Sequence, residues 1–259
     1  MNMNDPEKVK KMYVNKDTLS TRVNIHKYST NKYGWNNWIF DKYKLDENIN
    51  ILDIGCGTSD IWIGKEKELP EKINIILSDI SPLLIEKAKE KLKENTKFIF
   101  QVLDIQNIPF EDKKFDIIIA NHMLYHVPNI SKALAEVKRV LKNDGTFYAT
   151  TIGKNHMREI MEIYKKYEQK VKFSYSNELS FLLDSGKDIL SRYFTKIKQK
   201  RYSDTLEVAD INSIMNYIVS YNEVPKEILD EIQQIIENEI KEKGVFKIEK
   251  DSGIYICNV

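Results

Sequence analysis

The chain predicts an α/β fold, a doubly wound and mostly parallel seven-stranded sheet with helices on both faces. Two observations carry that expectation. From about residue 50 to 151, short apolar runs alternate with segments whose apolar residues recur at helical spacing. Three successive apolar runs also end at an acid, Asp53, Asp79 and Asp104, and a Gly-x-Gly turn follows the first. In an open α/β sheet, ligands bind outside the carboxyl ends of the strands, so those acids stand where a site would form.

The elements follow in order. Asn50–Ile54 reads as the first strand, leading into the glycine loop and a short helix that stops before Pro70. Ile73–Leu77 is a buried strand ending at Ser78-Asp79. Ser81 then caps a helix with Pro82 in its first position, and Leu84, Ile85, Ala88 and Leu92 form its apolar stripe. Phe98–Leu103 is the third strand and Phe115–Ala120 the fourth, the latter almost wholly apolar, as a strand covered on both faces should be. Ser131 is expected to cap the next helix, with Gly145 after its end and Thr146–Thr151 as the fifth strand.

Beyond residue 151 the pattern predicts helices over Asn155–Val171, over Ser176–Tyr193 with a break near Gly186, over Asp210–Tyr221 and over Pro225–Lys243. Thr195–Tyr202 is strand-like, and Val245–Val259 holds a final strand pair or one long strand. No Pro/Gly/Ser-rich linker or internal repeat divides the chain. The expected organisation is an N-terminal helical lid over 1–45, a ligand-binding core over 46–155, and residues 156–259 completing the same domain with its last strands and a helical cap.

Composition narrows the function. The 259 residues are 42% hydrophobic, enough for a substantial core. Lys and Arg total 40 against 39 Asp and Glu, so no global charge draws the chain to nucleic acid or acidic membrane. Lys196, Lys198 and Lys200 alternate on a strand and read as a solvated row. Residues 1–16 lack the apolar core of a signal peptide, and no run of about 18 apolar residues could span a membrane. Two cysteines, Cys56 and Cys257, make no disulfide framework, and a reducing cytoplasm is the expected setting.

The glycine loop is the sharpest clue. A dinucleotide site would carry a third glycine at position 60, where helix and strand pack over a pyrophosphate. This chain has Asp60 there, and Asp53 where a diphosphate would meet negative charge. The loop therefore suits a nucleoside ligand without a pyrophosphate. Asp79 lies 22 positions after Gly57, and its two carboxylate oxygens match a ribose diol. Asp104 could accept a proton from an exocyclic adenine amine.

With these residues in this order, the chain resembles the class I S-adenosylmethionine-dependent methyltransferases and their Rossmann-like fold. Asp53-x-Gly55-x-Gly57 is similar to the family's glycine motif, with Ser59 where its third glycine stands. Ser78-Asp79-Ile80-Ser81 is similar to its ribose-binding strand end, and Asp104 through Phe110 to the adenine segment of the small-molecule branch. The resemblance covers residues 50–151 and implies S-adenosylmethionine as cofactor. It places Asp79 on the ribose, Ile80 against the adenine, and Asp104 with the Ile105 amide on the adenine edge. Asp53, Gly55, Cys56 and Gly57 would line the methionine end with Asn121 beside it, and Tyr28 would reach the cofactor from the N-terminal segment. Acids around a sulfonium ligand are electrostatically sensible. Ser59 is expected to serve as a helix N-cap.

The acceptor side is less determined. Asn121-His122-Met123-Leu124-Tyr125-His126 follows the fourth strand and holds two of the four histidines. His122 or His126 could take a proton from an acceptor, or either could simply bond backbone in a turn. No third ligand accompanies them in sequence, so no metal is expected. Tyr33, Trp35 and Tyr125 are candidates for the acceptor pocket, and each reads as well as packing. Arg22, His26, Tyr28 and Trp38 complete an N-terminal cluster that is either a lid or packing on the sheet. The expected activity is methyl transfer to a small-molecule acceptor. Methylation of RNA or protein, or a non-catalytic cofactor-binding module, are the alternatives.

Overall fold

The computed structural model describes residues 22, 24–92, 96–171, 179–220 and 224–259. The first part of the expected N-terminal lid (residues 1–21 and 23), the first residues of the helix expected from Ser176, and Tyr221 lie outside the described residues.

Seven strands form one sheet. In chain order they are β1 (Ile49–Ile54), β2 (Ile73–Asp79), β3 (Phe98–Val102), β4 (Phe115–Asn121), β5 (Leu141–Ile152), β6 (Lys196–Tyr202) and β9 (Ser252–Asn258). Their spatial order is β3-β2-β1-β4-β5-β9-β6. The first five pair in parallel. β9 runs against β5: the Asn258 amide donates to Gly145 O and Thr146 Oγ1 near the start of β5, while Gly153 N donates to Asp251 O beyond its end. The strand order reverses between β1 and β4, which puts the turns after those two strands on either side of the switch point.

Two-residue periodicity assigns the faces. Leu52, Ile54, Ile118, Ala120, Phe147 and Ala149 pack on one side with Ala133, Leu134, Val137 and Val140 of α3 (Ile130–Val140). Ile51, Ile75, Leu77, Ile117, Ile119 and Tyr148 pack on the other with Ile39 and Phe40 of α1 (Trp35–Phe40), Tyr43 and Trp62. Helix α2 (Pro82–Lys91) lies against β2 and β3.

By contacts the chain forms two units. The sheet unit comprises Trp35–Ile152, Ser180–Arg201 and Gly253–Val259. The other comprises the residues up to Gly34 together with Gly153–Leu179 and Tyr202–Ser252. In this second unit β7 (Thr205–Val208) and β8 (Phe246–Glu249) form an antiparallel pair. It is packed with α4 (Arg158–Tyr167), α6 (Ile211–Val219) and α7 (Lys226–Lys243) around Ile160, Ile214, Ile218, Ile232 and Ile248. Asp204 organises it, accepting from Ser29 Oγ (2.7 Å) and Asn31 N (3.1 Å) and pairing with the buried Lys250 ammonium (3.1 Å).

Several elements differ from expectation. No helix follows the glycine loop. Residues 56–68 form successive three-residue turns, Ser59→Cys56, Trp62→Ser59, Lys65→Trp62 and Glu68→Lys65. Ser59 and Gly64 hold left-handed backbone there (φ 59° and 75°), which a right-handed helix cannot contain. Ser59 is therefore no helix cap. Asn129, not Ser131, caps α3, accepting from Lys132 N at 2.9 Å. Gly186 starts α5 (Gly186–Leu190) rather than breaking a longer helix. A Cβ at that position would sit 2.8 Å from Tyr255, so close packing is what requires glycine. The final strands are not a pair, since β8 bonds to β7 and β9 joins the large sheet.

Candidate active site

Asp53 is the last residue but one of β1 and is 1% exposed. Its Oδ2 accepts from the Trp62 indole at 2.8 Å, while Oδ1 is buried without a hydrogen-bond partner among the described residues. Burial pushes its pKa up to about 7; the Asp79 charge adds to that and the Trp62 bond opposes it. A buried carboxylate with one oxygen open is poised for a cation or a donor. Cys56 beside it is held protonated, its pKa raised first by burial and then by Asp53, so it is no nucleophile.

The two glycines serve different purposes. At Gly55 (φ 74°) a Cβ would lie 2.7 Å from Met123 Cγ, so glycine lets the turn after β4 close over the loop. At Gly57 (φ 57°) a Cβ would meet nothing within 4 Å, and the backbone faces open space. Asp79 braces that loop, with Oδ2 accepting from Gly57 N (3.0 Å) and Oδ1 from Ser81 N (2.9 Å). Its pKa is raised by burial, against the pull of those amides. Each Asp79 oxygen retains acceptor capacity for a hydroxyl.

The third acid stands next in line. Leu103 N donates to Asp79 O at 3.1 Å, joining the ends of β2 and β3. Asp104 Oδ1 accepts from Gln106 N at 2.8 Å, and Asn107 N closes the turn onto Asp104 O. The Ile105 side chain is buried in the core, whereas Ile80 is 45% exposed and offers apolar surface to a ring.

After β4, His122 adopts left-handed backbone (φ 49°), its N–H shared by Thr150 O (3.1 Å) and Thr150 Oγ1 (3.0 Å). The Asn121 amide is held by Tyr43 Oη (3.0 Å) and Thr150 Oγ1 (3.2 Å). The His122 ring lies 5.1 Å from Trp35 and 6.5 Å from Tyr125, Trp35 stacks on Trp38 (5.5 Å), and Tyr125 meets His126 edge-on (4.5 Å). The structure thus brings Trp35, His122, Tyr125 and His126 together as one aromatic wall.

Tyr28 and Tyr33 belong to the second unit. The Tyr28 hydroxyl lies 3.2 Å from Asp210 Oδ2 and 3.1 Å from Ser213 Oγ, and Tyr33 is exposed. Sequence reasoning missed Trp62, Tyr43, Thr150 and Met123. Each acts through the fold on a motif residue, and none lies in a motif of its own. Among the described residues no three His, Cys, Asp or Glu side chains converge on a metal position.

These residues fit S-adenosylmethionine. The buried open oxygen of Asp53 suits its cationic amino-acid end, the space at Gly57 and the acceptors of Asp79 suit the ribose, and Ile80 with Asp104 suits the adenine. The fold is that of the class I S-adenosylmethionine-dependent methyltransferases. Residues 45–201 match the family described as Methyltransferase domain, and the chain belongs to that family. Among curated proteins it is 37% identical over 128 residues to the ubiquinone/menaquinone biosynthesis C-methyltransferase UbiE of Rickettsia prowazekii, covering 46% of this chain and 51% of that one. To the protein of the same name from Citrifermentans bemidjiense it is 28% identical over 167 residues, 61% and 71% of the two chains. To the demethylmenaquinone methyltransferase of Lactobacillus johnsonii it is 32% identical over 115 residues, 43% and 47%. The match thus spans about half the length of most of these relatives. Among solved structures, the YcgJ protein of Bacillus subtilis shares the fold with a TM-score of 0.60 at 16% identity, covering 86% of this chain and 97% of that one.

Proposed function

We propose that the chain transfers a methyl group from S-adenosylmethionine to a small planar acceptor seated against Trp35, His122 and Tyr125. The observation that carries this is the meeting of Met123 with Gly55, which sets the aromatic turn after β4 directly over the glycine loop. When bound, the cofactor supplies an electrophilic methyl group on a cationic sulfur. Asp53 holds negative charge near that end, Asp79 and Asp104 hold the nucleoside, and the aromatic wall orients the acceptor and excludes water.

The names of the curated relatives favour an aromatic acceptor bearing hydroxyls, methylated at carbon. Such a ring becomes a good carbon nucleophile when a ring hydroxyl gives up its proton. An imidazole nitrogen of His122 or His126 accepts that proton, a role that contributes about 10²–10⁴-fold.

The test is turnover of labelled S-adenosylmethionine with a reduced demethylated naphthoquinone, beside His122→Gln and His126→Gln. Carbon-methylated product from the parent and a loss of about 10²-fold or more in one variant support the proposal. Methylation of bulk RNA with no product from any hydroxylated aromatic would overturn it.

A further inference from the structure

Residues 105–112 form no helix or strand, yet they carry the amides placed next to Asp104. Irregular backbone has to find hydrogen-bond partners outside a regular ladder, and here those beyond the turn's own bonds come from one helix. Glu136 Oε2 accepts from Ile108 N at 2.9 Å. Arg139 donates from Nη2 to Ile108 O (2.8 Å) and from Nη1 to Phe110 O (2.7 Å) and Asp112 Oδ1 (2.8 Å). The two side chains also grip each other, Nε to Oε1 and Nη2 to Oε2, both at 2.8 Å. At the other end of α3, Gln106 Oε1 accepts from Asn129 N (3.1 Å) while its Nε2 lies 3.3 Å from both Asp104 oxygens. Asn129 is the cap of that helix.

Resting on the S-adenosylmethionine reading, we propose that α3 is a splint for the base-reading turn, with Gln106, Glu136 and Arg139 as positioning residues for the adenine end of the cofactor. The Glu136–Arg139 pair is about one-fifth to one-third exposed. A solvated pair of that kind contributes little to stability by itself, so its main effect is where it holds Ile108 and Phe110. Arginine suits the task because its planar guanidinium offers several donors in a fixed fork, which Lys cannot reproduce. Recognition groups must be held within about 0.5 Å of their productive geometry, and a turn without a ladder of its own reaches that only through such supports. Gln106 touches the carboxylate directly and ties it to the helix that follows the turn carrying His122 and His126.

The test is calorimetric titration of the parent chain, Arg139→Met, Arg139→Lys and Gln106→Ala with S-adenosylhomocysteine and with S-inosylhomocysteine, which lacks the exocyclic amine. Melting of each ligand-free protein is recorded in parallel. The parent is expected to prefer the adenine ligand. Arg139→Met should weaken it about tenfold and Gln106→Ala about threefold, with the preference over the hypoxanthine ligand shrinking in both and Arg139→Lys falling between. A structural role alone would lower the melting temperature and leave that preference intact, which would overturn the proposal. Gln106 is only half-buried and lies outside the hydrophobic core, so Gln106→Ala decides the matter even where Arg139→Met fails to fold. Unchanged preference in Gln106→Ala, with the parent binding normally, contradicts the splint. Failure of the folded parent to bind either ligand overturns the cofactor reading and the splint with it.

Discussion

Asp53 sets function against stability at a single residue. Its pKa rises from 3.8 to about 7 in the folded chain. A carboxyl raised in this way favours folding below its unfolded pKa, and that contribution is lost as pH rises through about 7. Asp53→Asn keeps an acceptor for Trp62 and removes the charge. We predict a higher melting temperature than the parent at pH 8, with the difference shrinking toward pH 5, and binding of S-adenosylhomocysteine weakened by about tenfold or more. A variant melting lower than the parent at pH 8 would contradict the open, charged oxygen. Ser59 makes the converse case. Left-handed backbone costs a non-glycine residue about 1–2 kcal/mol, and glycine loses about 0.5–1 kcal/mol in chain entropy. Ser59→Gly is therefore predicted to be neutral or stabilising by up to about 1.5 kcal/mol in urea melts, and clear destabilisation would sink that reading. The motif acids Asp53, Asp79 and Asp104 were legible because they sit at or just past successive strand ends, the first of them leading into the Gly55-x-Gly57 turn. Trp62 and Tyr43 were not, because their contacts to Asp53 and Asn121 are set by tertiary packing with no local signature.

The turn after β4 and the glycine loop behave as one element, joined by Met123 over Gly55. Gly55→Ala places a methyl group against Met123 on backbone at φ 74°. We predict S-adenosylhomocysteine affinity about tenfold lower, or roughly 1.4 kcal/mol, with part of it restored in Gly55→Ala/Met123→Ala. Independent, additive effects of the two substitutions would deny the contact. Apolar runs and their spacing made the five parallel strands readable. The same signals misread the stretch before Pro70, where a short helix was expected after the glycine loop but left-handed Ser59 and Gly64 impose turns. They also left β7 unseen, since a four-residue strand that pairs only with β8 carries too short a pattern.

Across the whole molecule, the two units carry titrating groups of opposite sign. His156, half-buried in the second unit near His26 and Lys250, has its pKa lowered to about 3, by desolvation first and by those two groups next. A histidine held neutral stabilises fully above its unfolded pKa, and that stability is lost as pH falls from about 6.5 toward 3. Asp204 in the same unit, its pKa lowered by Ser29, Asn31 and Lys250 against its burial, adds in the same direction. All three tryptophans, Trp35, Trp38 and Trp62, lie in the sheet unit. Acid titration should therefore lower far-UV circular dichroism before tryptophan fluorescence changes, and His156→Gln should narrow the gap; coincident transitions in both proteins would oppose it. The central claim is that the strand ends around Asp53 and Asp79 bind S-adenosylmethionine. Calorimetric titration of the folded chain with S-adenosylhomocysteine, at pH 7 in two buffers of different ionisation heat, tests it most directly. Binding at one site per chain with protons released, as the ligand's ammonium draws Asp53 into its charged form, is the predicted result. A well-folded chain that gives no binding heat in either buffer would contradict it.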